Sequence, residues 1–287
     1  MFYVDGYENC IKTVFLLACS HQQQTIDSLQ KLKNQYICFL NKHFSETPIP
    51  THGNLEQFCV DIERIKKIAV KHQGKGSRKP KIDLNTPLAS MEEALSHVKN
   101  GQILLNQVNP SLGTIFDLVI HTLFYLRSPN ARGGSTSDAP GTIWCAIKRH
   151  WTDMDTAECL VHELTHNLVV LDELCYQHYT DRSQLSNKKN YAKSSILKIE
   201  RPFDNAFHSL VVAHEILRYR QEAGEPSNPH VHPPSEQMLF ASLETVQSIK
   251  SVVDNTDLVQ PRFSEILGKV ETSLHQLEKS FQTVVVV

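Results

Sequence analysis

Paired cysteines at metal-binding spacing, an excess of either charge, and any apolar run long enough to span a bilayer are all missing from this 287-residue chain. Each absence removes a class of function. Lys and Arg number 29 against 31 Asp and Glu, a net charge of -2. That balance gives no basic groove for a nucleic acid and no pull towards an anionic membrane. The seven cysteines (Cys10, Cys19, Cys38, Cys59, Cys145, Cys159 and Cys175) are odd in number, with no CxxC pair. Structural zinc and a disulfide framework are therefore unsupported, and a reducing, cytoplasmic setting is expected. No stretch approaches the roughly 20 apolar residues of a membrane span. Residues 13–20 superficially resemble a lipoprotein cleavage site ending at Cys19. Asp5 and Glu8 precede them, however, and Lys12 is the only cation nearby, so a buried first helix is expected instead.

What is present reads as mainly helical with a small sheet. Residues 1–75 form an N-terminal helical region, with Leu29, Leu32, Tyr36 and Leu40 spaced as one helical face. The basic stretch 72–81, with two glycines and a proline, reads as an exposed loop. It leads to a second region, 82–287. There, helices are predicted over 88–98 and 112–126, then a dense loop over 128–141 and a strand over 142–147. Trp144 on that strand belongs to the core. A long helix follows to about residue 176, capped by Asp153 or Asp155. Pro202 opens a helix over about 203–222, and two more helices run over about 236–253 and 263–281 before a valine-rich tail.

The chemistry concentrates at residues 160–168, LVHELTHNL. His162 and His166 are four apart, so both imidazoles leave the same face of a helix. Neutral imidazole is a ligand for zinc and iron. Glu163, beside the first histidine, can act on a metal-bound water or steady the coordination sphere. Leu160, Val161, Leu164 and Leu168 make the helix a buried one. Two side chains hold an ion poorly, so a third donor is expected downstream. Asp172, Glu173 and His178 are candidates near the same helix, and His208, His214 and Glu215 lie on the next long one. Three-histidine coordination through His208 suits zinc or iron. Glu215 as the third ligand would instead match the thermolysin-like zinc hydrolases, with Glu163 as general base. Either way, the expected architecture is zincin-like: an HExxH helix packed against a second long helix.

Three stretches carry a resemblance that favours one chemistry. They are residues 133–144 (GGSTSDAPGTIW), 158–166 (ECLVHELTH) and 201–208 (RPFDNAFH). Together they resemble the HExxH-containing peptide-modification proteins of ribosomal natural product pathways. That family is regarded as non-haem iron, 2-oxoglutarate-dependent peptide β-hydroxylases. The likeness spans about residues 113–222; many family members carry the domain within longer chains, whereas this chain is expected to stand alone. It implies iron(II) held by His162, His166 and His208, with Glu163 as a supporting residue. It also implies an arginine for the far carboxylate of 2-oxoglutarate, whose shape suits a guanidinium fork. Arg201 is the first choice and Arg218 the second. The implied partner is a precursor peptide, which could add itself as an extra strand beside residues 142–147. The alternative remains a zinc metallopeptidase.

Overall fold

The computed structural model describes residues 1–20, 25–45, 49, 57–73 and 80–284. Residues 74–79 of the basic stretch and 285–287 of the valine tail lie outside the described residues. The chain forms two compact units: Tyr7–Leu171, and Met1–Gly6 together with Asp172–Val287. The division falls inside a long helix, whereas the expected one near residues 75–82 lies within the first unit.

After α1 (Phe2–Asp5), which belongs to the second unit, the first unit runs α2 (Tyr7–Cys19), α3 (Leu29–His43) and α4 (Ile62–His72). The run read as a buried first helix is α2, with Val14, Leu17 and Ala18 inside. Ser28 caps α3 by accepting from the Lys31 amide. Leu32, Tyr36 and Leu40 are buried as their spacing requires, but Leu29 is 44% exposed at the helix start. Asp61 caps α4 through the Glu63 and Arg64 amides.

Next come α5 (Leu88–Val108) and α6 (Pro110–Val119). The helix expected over 88–98 continues to Val108, where Asn109 ends it and caps α6 with Pro110 at the first position. The helix expected over 112–126 stops at Val119, and its remainder is strand β1 (Thr122–Tyr125). An apolar run buried on all sides has no period to distinguish the two forms. β2 (Gly133–Gly134) and β3 (Thr142–Cys145) complete a sheet of order β1-β3-β2, with β1 parallel and β2 antiparallel to β3. β3 is thus central rather than an edge, and its four residues are buried. Phe58 bridges the outer side of β1. One sheet face carries Phe124, Leu126 and Trp144 against Ile65, Ile68, Ala69 and Met91.

Helix α7 (Asp153–Tyr176) leaves this unit after Leu171. Its start is a reciprocal box rather than a single aspartate cap. The Thr152 amide and hydroxyl donate to Asp155 Oδ2, and the Asp155 amide returns a bond to Thr152 Oγ1. Gly101 of α5 lets that helix come close, because a Cβ there would lie 2.8 Å from Thr156 Cβ.

The second unit holds β4 (Ala192–Lys193) paired with β5 (Glu200–Arg201), then α8 (Phe203–Ala223), α9 (Ser235–Val253) and α10 (Pro261–Val284). α8 packs on α9 and α10 around Phe203, Phe207 and Phe263, with Phe207 and Phe263 centroids 4.1 Å apart. Among the described residues no helix is long and apolar enough to cross a membrane. The chain is mainly helical with a small sheet.

Candidate metal centre

The four-residue spacing on α7 does what helical geometry demands. His162 and His166 are half-buried, and their Nε2 atoms approach to 3.1 Å. Two nitrogens each bound at about 2.0–2.1 Å to one ion fall near that separation, so the pair fits a shared metal. Between them in sequence, Glu163 turns inward and is 5% exposed. Its Oε2 accepts from the Ser135 hydroxyl at 2.8 Å. Burial raises the Glu163 carboxyl to about 7, against the lowering pull of that hydrogen bond. Gly133 supplies the space: a Cβ there would lie 2.8 Å from the Trp144 carbonyl oxygen and 3.4 Å from Glu163 Oε1.

A buried relay fastens α7 to the turn before β3. Asn167 donates to the Glu163 carbonyl at 2.8 Å, and its Oδ1 accepts from the Gly141 amide at 2.7 Å. Gly141 has φ 79°, a left-handed conformation suited to glycine. Two buried histidines hold the same turn. Arg64 donates to Thr122 Oγ1, which contacts His121 Nδ1 at 2.9 Å, and His121 Nε2 lies 3.1 Å from the Pro140 carbonyl. A carbonyl only accepts, so the proton sits on His121 Nε2. His72 Nε2 meets Thr142 Oγ1 at 3.0 Å, and that hydroxyl donates to the Ala139 carbonyl. Burial lowers both histidines to about 3, so each is neutral.

One turn before Glu163, Cys159 is hydrogen-bonded to Cys145 of β3. That contact and burial push its thiol well above its ordinary value. Trp144 is fully buried, as expected of a core residue.

The other candidates lie in the second unit. His208 is half-buried on α8. Burial lowers it to about 3, with the charges of His178, Arg182 and Arg201 adding to the effect. It is therefore a neutral imidazole, the form that ligates. Arg201 at the end of β5 donates to Asn205 Oδ1 at 3.1 Å, and Arg218 donates to Gln221 at 2.6 Å. Arg218 lies ten residues beyond His208 on α8, about 15 Å along the axis. Arg182, which the sequence reading passed over, is the second guanidinium acting on His208.

Most alternative donors are already engaged. Glu173 pairs with Arg182. Asp172 is held by His178 and Arg262. His214 Nε2 meets Ser273 at 2.8 Å. Glu215 is buried and accepts from the Tyr3 and Val4 amides at 2.9–3.1 Å, capping α1. To serve as a third ligand, Glu215 would have to give up those bonds. Among the described residues, no group of three His, Cys, Asp or Glu side chains is arranged to hold a metal ion. The converging pair on α7 is what the structure itself provides.

No family model matches the chain, and no curated protein is similar to it. The chemistry must therefore be argued from the residues. Ser135 and Asn167 both hold Glu163, yet neither stands out in sequence. A serine in a Gly/Ser-rich loop and an asparagine after a histidine are unremarkable until folding brings them together.

Proposed function

We infer that this chain is a cytoplasmic, iron(II)- and 2-oxoglutarate-dependent oxygenase that hydroxylates a β-carbon in a ribosomally made peptide. The observation that carries the metal is the 3.1 Å approach of His162 and His166 Nε2 on α7. The resemblance of residues 133–144, 158–166 and 201–208 supports iron over zinc. In this reading α7 is the metal helix, and the resemblance assigns the third donor to His208. Three neutral imidazoles would leave the ion its full positive charge for a dianionic co-substrate. Iron(II) with 2-oxoglutarate and O2 would supply the oxidising power to hydroxylate an unactivated C–H bond.

The chain's own residues have separable tasks. His162 and His166 supply two adjacent donors, oriented by a helix fixed at both Thr152 and Asn167. Glu163 is the catalytic-site carboxylate, held by Ser135 so that one oxygen stays committed and the other remains near Gly133. Arg201 offers its fork to the far carboxylate of 2-oxoglutarate, with Arg218 as the alternative.

The peptide is better placed on β2 than on β3, which already has partners on both sides. Gly133 lies opposite Cys145, while the Ala146 amide donates to the Arg132 carbonyl at 2.7 Å. In that antiparallel register the Gly133 N–H and C=O face away from β3, offering main-chain bonds to an extended peptide beside Glu163.

Anaerobic addition of iron(II) and 2-oxoglutarate should produce a weak visible charge-transfer band, lost in His208→Ala. Absence of the band, with one zinc retained by purified protein, would overturn the reading. A buried Glu163 next to the histidine pair also favours a zinc metallopeptidase as second reading. Cleavage of a peptide library that is lost in Glu163→Gln would establish that activity instead.

A further inference from the structure

One cleft of the first unit belongs neither to the histidine pair nor to the β2 edge. Residues 57–59 run parallel to β1: the Leu123 amide donates to the Gln57 carbonyl at 2.7 Å, and the Cys59 amide donates to the Leu123 carbonyl at 2.8 Å. Those two bonds use the side of the segment that faces β1, so the N–H and C=O of Phe58, between them, point away from the sheet. Neither group has a partner among the described residues. The segment is therefore an open edge, at the opposite end of the β1-β3-β2 sheet from β2. Open edges are templates for another extended chain.

This edge borders a cleft of about 380 Å³, with Phe58 and Val60 on one wall and Glu92, Leu95, Ser96 and Lys99 of α5 on the other. The α5 residues follow the stripe that a helix presents on one side. Such a stripe usually packs on a core, yet here only Leu95 is buried, and Glu92, Ser96 and Lys99 stay exposed. Val60 is 38% exposed, and Lys99 Nζ sits 5.1 Å from the centroid of the half-buried Phe58 ring. Glu92 has neither ion pair nor hydrogen bond among the described residues. Gln57 fixes the edge from behind, its Nε2 donating to the Ile120 carbonyl at 2.9 Å and its Oε1 accepting from Gln102 at 3.0 Å. An anion, an apolar floor and a cation thus line up beside unpaired main-chain groups.

We propose that this cleft binds an extended peptide segment, which adds itself to the 57–59 edge with an apolar side chain over Leu95 and Phe58 and residues of opposite charge on either side of it. The dimensions agree. Glu92 and Lys99 are two helical turns apart, about 10 Å along the axis. Side chains on one face of an extended chain recur about every 6.6 Å. A cation and an anion, each two positions from the apolar residue, therefore span about 13 Å, a difference that the flexible Glu92 and Lys99 side chains close. Main-chain bonds to Phe58 supply affinity, and the two charges discriminate against segments of a single sign. The proposal is independent of the metal reading, because the cleft uses none of that site's residues.

The test uses the full chain and three fluorescein-labelled peptides that share the sequence Gly-Ser-X-Thr-Leu-Thr-Z-Ser-Gly. X and Z are Lys and Asp, both Lys, or both Asp, and binding is read by fluorescence anisotropy. The wild type should prefer the mixed peptide by about threefold or more. Glu92→Lys should shift the preference to the doubly acidic peptide and Lys99→Glu to the doubly basic one; both positions are exposed, and circular dichroism checks the fold. N-methylation of alternate peptide residues should weaken binding about tenfold in one set, which faces the edge, and leave the other set unaffected. Ser96→Tyr fills the cleft from an exposed helix position and should abolish binding. Failure of all three peptides to bind, full binding by Ser96→Tyr, or a preference that neither charge reversal moves would overturn the proposal. A wild-type dimer that Ser96→Tyr splits into monomers in sedimentation would assign the cleft to a second copy of the chain, and would overturn it as well.

Discussion

Replacing His72 by glutamine should make the chain more resistant to acid while changing little at neutral pH. In the native state the His72 ring is neutral, donating from Nε2 to Thr142 Oγ1, while its buried Nδ1 has no partner among the described residues. Glutamine carries an amide nitrogen near the Nε2 position and brings no titrating group. Stability at pH 7.5 should therefore change by about 1 kcal/mol or less, the scale of one ordinary hydrogen bond. Acid tells the two apart. Burial lowers His72 from 6.5 to about 3, so between those values the unfolded chain binds a proton that the folded one refuses. Stability is complete above the unfolded value and falls with pH until the folded value is reached. At about 1.36 kcal/mol per unit, the loss from this histidine alone is about 3 kcal/mol at pH 4 and approaches about 5 below pH 3. His121 carries a similar shift but is present in both proteins, so it cancels from the comparison. Urea unfolding followed by tryptophan fluorescence is the assay, because Trp144 and Trp151 are both buried in the unit that holds His72. His72→Gln should overtake the wild type as pH falls, by about 3 kcal/mol at pH 4. A difference that stays constant from pH 7.5 to pH 4 would refute the reasoning.

Other substitutions probe other links. Asn167→Ala strands the buried Gly141 amide and frees the Glu163 carbonyl, so a loss of about 1–3 kcal/mol is expected in urea melts; an unchanged midpoint would mean that the relay is not needed. Phe263→Ala removes the ring shared by Phe203, Phe207 and Tyr179. It should cost about 3–5 kcal/mol by circular dichroism melting, and a loss below about 1 kcal/mol would contradict a filled core. Glu215→Gln should speed hydrogen exchange at the Tyr3 and Val4 amides while leaving metal content unchanged. Loss of the metal there would restore Glu215 as a ligand.

What was legible in the sequence was local. The 3.6-residue period marked the long helices, and Asn109, Pro110 and Pro202 carry their punctuation in their own chemistry. His162 and His166 were readable because a helix converts a spacing of four directly into a shared face. β1 was not, since Val119 to Leu126 is buried on every side and loses the alternation that distinguishes strand from helix. The central position of β3 was equally hidden, because strand order depends on partners as distant as Gly133 and Phe58. Arg182 and His178 gained meaning only through their neighbourhood with His208, and Ser135 through a hydrogen bond across 28 positions.

The same distinction bears on Glu215, the alternative third ligand. At the sequence level His214 and Glu215 look like ligands waiting on a helix, and a downstream glutamate is what a zinc hydrolase needs. Its carboxylate, however, accepts both Tyr3 and Val4 amides, 212 and 211 positions away respectively. Burial alone would raise the Glu215 carboxyl, but the neighbouring His214, the positive chain terminus and the Tyr3 amide together hold it below its ordinary value. Turning it towards a metal would break those bonds and leave two part-buried amides without their acceptor. His208, for its part, is already a neutral ring, the charge state that a ligating imidazole needs. Ligation by Glu215 therefore carries the cost of giving up existing partners, a cost that spacing along a helix cannot display.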